Sequence, residues 1–111
     1  MAEMSKETEQ KIEQLQLLEQ NLRTFTLQRQ QFQAQLLEIE SALTEIEGSK
    51  ETFKIIGGIM ISAQKEDIKK DLAKKKEMLD LRIKSIEKQE EKIKEKATST
   101  QKEVLKEMGH D

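Results

Sequence analysis

The chain has 111 residues, of which 38% are charged and 34% hydrophobic, a formal net charge of −2, and no proline, cysteine, tryptophan or tyrosine. That length allows one domain at most, and three aromatics, Phe25, Phe32 and Phe53, cannot anchor a compact core. Most enzyme chemistries are excluded as well: there is no thiol nucleophile and no tyrosine acid, and the one histidine, His110, is the penultimate residue.

High charge with a small net charge, in a sequence dominated by Glu, Lys, Gln and Leu, is the composition of long helices and coiled coils rather than of disorder. Zero cysteine rules out a disulfide framework and a Cys-based metal site, and fits a reducing compartment. Within residues 1–20, Glu3, Glu7 and Glu9 interrupt any candidate signal peptide. The longest run of apolar residues plus glycine is seven residues, 55–61, against the ~20 needed to span a bilayer. The expectation is a soluble, cytoplasmic, non-enzymatic protein that works with its surface, without metal or cofactor.

Three segments follow in chain order. In the first, residues 1–47, apolar side chains recur at alternating spacings of three and four: Leu15, Leu18, Leu22, Phe25, Phe32, Leu36, Ile39, Leu43 and Ile46, with Arg29 the one interruption. More than four heptads of such a seam predict a coiled-coil helix. Gly48 lies just past the seam, where a left-handed C-terminal cap is expected.

The second segment, residues 48–64, is β-branched around Gly57-Gly58, a pair that tolerates positive φ at both turn positions. It predicts a β-hairpin with a two-residue loop. The rival, a helix continuing through both glycines, costs ~2 kcal/mol relative to alanine. In the third segment, residues 65–111, a second helical seam runs through Leu72, Leu79, Ile83, Ile86, Ile93, Ala97 and Val104, with Lys76, Glu90 and Thr100 also at seam positions. Thr98-Ser99-Thr100 has poor helix propensity, and Gly109 suits a helix stop.

Helix, hairpin, helix lets the two arms fold back antiparallel. Residues 1–47 carry four Lys/Arg and nine Glu, net −5, whereas residues 65–107 carry fourteen Lys/Arg and eleven Asp/Glu, net +3. A register in which residue 47 faces residue 66 brings Glu38, Glu40, Glu45 and Glu47 near Lys69, Lys70, Lys74, Lys75 and Lys76. Exposed pairs contribute ~0–1 kcal/mol each, so they select orientation more than they stabilise.

Phe53, Ile55, Ile56, Ile59, Met60 and Ile61 put apolar side chains on both faces of two strands, and an isolated hairpin is marginal in water. Burying them at ~1.5–3 kcal/mol each needs elements this chain does not supply, so the hairpin is expected to oligomerise into a closed β-barrel. At the far end of the arms, Ile12, Leu15, Leu17 and Leu18 lie near Ala97, Val104 and Leu105, with Met4 and Met108 at the extremes. A two-helix seam leaves such residues half covered, and Met-containing apolar tips suit a promiscuous binding surface. Other motifs are weak. Gly57-Gly58 is no phosphate loop, the lysines are matched by acids and argue against nucleic acid, and a lone tail histidine is a poor metal ligand.

Taken together, the hairpin from Phe53 to Ile61, the junction Lys65-Glu66-Asp67-Ile68 and the stretch Arg82-Ile83-Lys84-Ser85-Ile86-Glu87-Lys88-Gln89-Glu90-Glu91 resemble the β-type subunits of the prefoldin family. A single hairpin points to the β class, and the plain Glu/Lys arms are similar to archaeal forms. The resemblance implies a hexamer of two α-type and four β-type subunits joined through hairpins, with Gly57 and Gly58 at the turn of that assembly element. It further implies an ATP-independent chaperone that holds unfolded proteins at its arm tips and passes them to a group II chaperonin. Ile12, Leu15, Leu17, Leu18, Val104, Leu105 and Met108 would then contact substrate, and Glu90 and Thr100 would weaken the distal coil. Two further readings stay open: a filament built by open-ended hairpin pairing, and a coiled-coil adaptor for one dedicated partner.

Overall fold

A computed structural model of the chain describes residues 4–109; His110, considered above as a metal ligand, lies outside the described residues. The element order is helix α1 (Lys6–Glu47), strand β1 (Phe53–Ile56), strand β2 (Ile59–Ser62) and helix α2 (Lys65–Glu107). This is the two-helix, single-hairpin architecture that the periodicity predicts.

Helix α1 starts at a Ser5 cap, whose Oγ accepts the Thr8 backbone N–H at 3.1 Å, satisfying one of the amides the first turn leaves without a helical partner. Every apolar seam position of α1 from Leu15 to Ile46 is buried or half-buried, and so is every one of α2 from Leu72 to Val104. Packing is antiparallel, as cross-helix pairs from Thr8–Glu107 to Glu47–Lys69 show. Acidic Glu66 and Asp67 occupy the first turn of α2, where the helix dipole favours negative charge.

The chain divides into two compact units. One comprises α1 up to Arg29 with α2 from Ser85 onward; its seam holds Leu18, Ile86 and Val104 as the most buried apolar residues. The other, Gln30–Lys84, contains the hairpin and a seam whose most buried residues are Ile46, Leu79 and Ile83. Among the described residues no large side chain is fully enclosed: two helices cover one stripe of each other and nothing more.

One detail differs from expectation. Gly48 does not adopt the left-handed conformation; the positive-φ glycines are Gly57, Gly58 and Gly109. Instead α1 closes with a tight turn, Ser49 N–H to Ile46 C=O at 3.1 Å, and the Lys65 ammonium caps the Glu47 carbonyl at 2.7 Å. The Glu47 carbonyl, which no helical N–H reaches, is thus met by a side chain from the other helix. Gly109 does cap α2 as expected, with φ 77° and its N–H on the Lys106 carbonyl. The register agrees with expectation: Glu47 pairs with Lys69 at 2.6 Å, one of the acid–lysine pairs that a 47-to-66 register brings together, and Lys65 reaches the Glu47 carbonyl.

Ile83, only 7% exposed, and Leu81, 63% exposed, separate seam from surface on the same helix. Ile83→Ala is expected to lower unfolding stability by about 2–3 kcal/mol, and Leu81→Ala by no more than about 0.5 kcal/mol. Urea titrations of both variants check this. Equal losses would contradict the seam assignment.

Candidate functional site

The hairpin, the middle of the arms and the arm tips each carry a distinct arrangement. In the hairpin, β1 pairs antiparallel with β2 in the register Phe53↔Ser62, Lys54↔Ile61, Ile55↔Met60 and Ile56↔Ile59. Gly57 and Gly58, at φ 56° and 79°, make the turn that two positive-φ residues allow and that matches strand twist. Thr52 and Ala63 extend the pairing: Ala63 N–H donates to the Thr52 carbonyl, and the Thr52 hydroxyl donates to the Ala63 carbonyl at 2.6 Å.

Alternation then sets the two faces. Phe53, Ile55 and Met60 lie on one, and Ile56, Ile59 and Ile61 with Lys54 on the other. All six apolar side chains are 45–72% exposed. Lys54 reaches Asp71 of α2 at 3.7 Å, an exposed ion pair that ties a strand side chain to a helix. The structure thus leaves uncovered both faces of an element that cannot be stable uncovered.

At mid-arm the two seams meet at polar residues. The Arg29 Nε donates to Glu90 Oε1 at 2.6 Å, and the Thr26 hydroxyl donates to Glu90 Oε2 at 2.8 Å. Glu90 is 5% exposed. The hydrogen bond from Arg29, aided by that from Thr26, holds its carboxyl below the usual carboxylate range against the opposing effect of burial. Glu90 is therefore no gap in the coil, as the seam alone suggested, but a cross-link whose partner is the interruption of the other seam. Shifting one helix by a heptad would leave this carboxylate buried without its cation, which is costly, so the pair specifies register.

The seven candidate tip residues fall into two groups. Leu18 and Val104 are buried at 8% and 7% exposure, and Ile12 and Leu15 are half-buried. Leu17, Leu105 and Met108 are exposed, as is Met4. Around them is a polar network absent from the sequence reading. Thr8 donates to Glu107 Oε2 at 2.9 Å, Lys11 pairs with Glu107 and lies 3.4 Å from Glu103. The signal was available: continuing the heptad spacing outward from Leu15 and Val104 lands on Lys11, Thr8 and Glu107. No helix among the described residues is long and apolar enough to cross a membrane. None of their acidic or histidine side chains group in threes that could hold a metal ion.

The family model described as "Prefoldin subunit" matches residues 9–110. The chain belongs to the prefoldin family. It is 36% identical over 107 residues to prefoldin subunit beta of Archaeoglobus fulgidus, covering 94% of this chain and 92% of that protein. Against prefoldin subunit beta of Methanococcus maripaludis the identity is 43%, over 61 residues, 55% of this chain and 54% of the other. The crystal structure of the prefoldin beta subunit from Thermococcus strain KS-1 superposes with a TM-score of 0.91 at 27% identity, covering 96% of each chain. Prefoldin-like architecture and β-type sequence therefore coincide over nearly the whole chain.

Glu47, Glu90 and Glu107 all have carboxyls held below their ordinary 4.5, chiefly by hydrogen bonds from Lys69, Arg29 and Lys11 respectively. A depressed carboxyl contributes stability that is present above its unfolded-state value and is lost as pH falls through the folded one. The expected outcome is an unfolding midpoint that declines as pH drops below about 4.5. Glu90→Gln should lower the midpoint at neutral pH and flatten that decline. A parent-like acid profile in Glu90→Gln would contradict the role given to this pair.

Proposed function

We propose that this chain is the β-type subunit of a cytoplasmic, ATP-independent chaperone that holds unfolded or nascent proteins at its arm tips, prevents their aggregation and delivers them to a group II chaperonin. It assembles with an α-type subunit as a hexamer of two α and four β, its hairpins completing a β-barrel platform. The observation that carries this reading is the hairpin of a prefoldin-family chain with six apolar side chains exposed on both faces. Assembly through Phe53, Ile55, Ile56, Ile59, Met60 and Ile61 removes that surface from water and satisfies the strand edges.

With platform formation assigned to one end, the other end is free to hold clients. Each tip offers a few exposed apolar side chains, Leu17, Leu105 and Met108 among them, and binds weakly by itself. Several tips on one platform raise the effective concentration, and avidity adds ~10²–10⁴-fold without new contacts. Weak single contacts also allow release without nucleotide. The half-buried Ile12 and Leu15 and the buried Leu18 and Val104 join the contact surface when the helix ends part.

Replacing Leu17, Leu105 and Met108 together with Ser leaves the seam intact and removes exposed tip surface. This variant, assembled with its α-type partner, is expected to keep the parent's native mass and to lose at least half of its suppression of aggregation of a denatured test protein, an order-of-magnitude expectation of roughly twofold for truncating binding contacts. Light scattering during client dilution reads it. Unaltered protection would overturn the tip assignment, and protection by neither protein would overturn the chaperone reading.

A further inference from the structure

Along most of its length the seam is apolar, but at its outer end it turns polar. Thr8 and Lys11 of α1 take the seam positions beyond Leu15, and Glu107 of α2 takes the one beyond Val104. Thr8 is 3% exposed, more buried than any leucine in the chain. Its single hydroxyl hydrogen goes to Glu107, so the Ser5 hydroxyl donates its own to Thr8 Oγ1 at 2.9 Å while accepting the Thr8 backbone N–H. The cap of α1 is thereby wired to the last turn of α2.

One charge is placed against its own helix. Glu107 sits in the last turn of α2, an unfavourable position with respect to that helix dipole, and Lys11 and Glu103 lie one turn further in on α1 and α2. Antiparallel pairing inverts this: Glu107 comes beside the start of α1, and Lys11 beside the end of α2. The cross-helix contacts of these groups form only when the ends are together. Just inward of them, Leu18 and Val104 are buried.

We propose that Ser5, Thr8, Lys11, Glu103 and Glu107 form an electrostatic latch that holds the arm tip shut over Leu18 and Val104 and so sets how much apolar surface the tip presents. This rests on the chaperone reading above, and it regulates the same surface. Latched, the tip offers Leu17, Leu105, Met108 and Met4; released, it adds Ile12, Leu15, Leu18 and Val104. Because the network lies at the arm end and joins partly exposed charges, dissolved salt weakens it, whereas salt strengthens apolar burial in the seam beneath.

Hydrogen exchange on the assembled complex tests the latch, comparing the parent with Glu107→Gln and with Glu103→Gln plus Glu107→Gln. Amides in residues 8–18 and 97–107 are expected to exchange about three- to tenfold faster in the variants, and those in residues 36–46 and 72–83 at the parent's rate. Raising salt from about 0.05 to about 0.5 M should speed tip exchange in the parent and not in the double variant. Removing a carboxylate from a helix C-terminus strengthens that helix taken alone, so slower or equal tip exchange in the variants overturns the latch.

A second arm measures capture of a chemically denatured protein. The faster-exchanging variants are expected to capture about twofold more client per complex, in line with a larger apolar tip. Faster exchange with unchanged capture overturns the gating role. A parent that captures no client at all speaks against the chaperone reading instead, and the exchange arm then still decides whether the latch exists.

Discussion

Two helices packed along one seam can shield each other from only one side. Everything else in this protein follows from that geometric limit. Even the best-buried seam residues, such as Leu79 and Ile83, keep some exposure, and no large side chain among the described residues is enclosed. The hairpin obeys the same limit more severely, since two strands without a covering layer leave both faces in water. A chain of this kind cannot cover its own apolar surface, and that is the ground on which the hairpin is proposed to assemble and the arm tips to hold clients.

Within the arms, polar residues do what an enclosed core does in a globular domain. A repeating Leu/Ile seam is degenerate, because a heptad slip replaces one aliphatic contact with another of similar strength. Arg29, Thr26 and Glu90 break that degeneracy, as the buried carboxylate finds its cation in one register. Near the hairpin, Lys65 on the Glu47 carbonyl and Lys69 on the Glu47 carboxylate close the end of α1. Glu47–Lys69 joins an acid of the first arm to a base of the second, whereas Arg29–Glu90 and the pairs of Lys11 with Glu103 and Glu107 run the other way, so specific placement rather than net arm charge makes these contacts.

The elements themselves were legible because they rest on local rules. Alternating three- and four-residue spacing identifies the seam of each helix, and Gly57-Gly58 identifies the turn, since both need only the order of residues. The place of Gly48 after the last seam residue invites a left-handed cap, whereas α1 closes with a tight turn from Ser49 to Ile46 and with Lys65 of α2 on the Glu47 carbonyl, a tertiary contact no local pattern encodes. The register follows from counting inward from the helix ends, and the polar pair at Arg29 and Glu90 pins it. Those two residues were each visible as an interruption of one seam. Their meaning appears only when the seams are laid against each other. At the tip, polar side chains at heptad positions read as the end of a coil, although Thr8, Lys11 and Glu107 continue its spacing.

The central claim is that the hairpin's exposed faces are an assembly surface within a mixed complex. Native mass spectrometry of this chain isolated from its source cells tests it most directly. A six-membered complex holding four copies of this chain and two of a second, longer subunit is the predicted result, and it should fall apart when Ile55 and Ile59 are replaced by Lys. A free monomer or dimer would contradict the account, for the hairpin would then have to persist in water with nothing covering it. An open-ended homopolymer would contradict the closed platform and favour a filament.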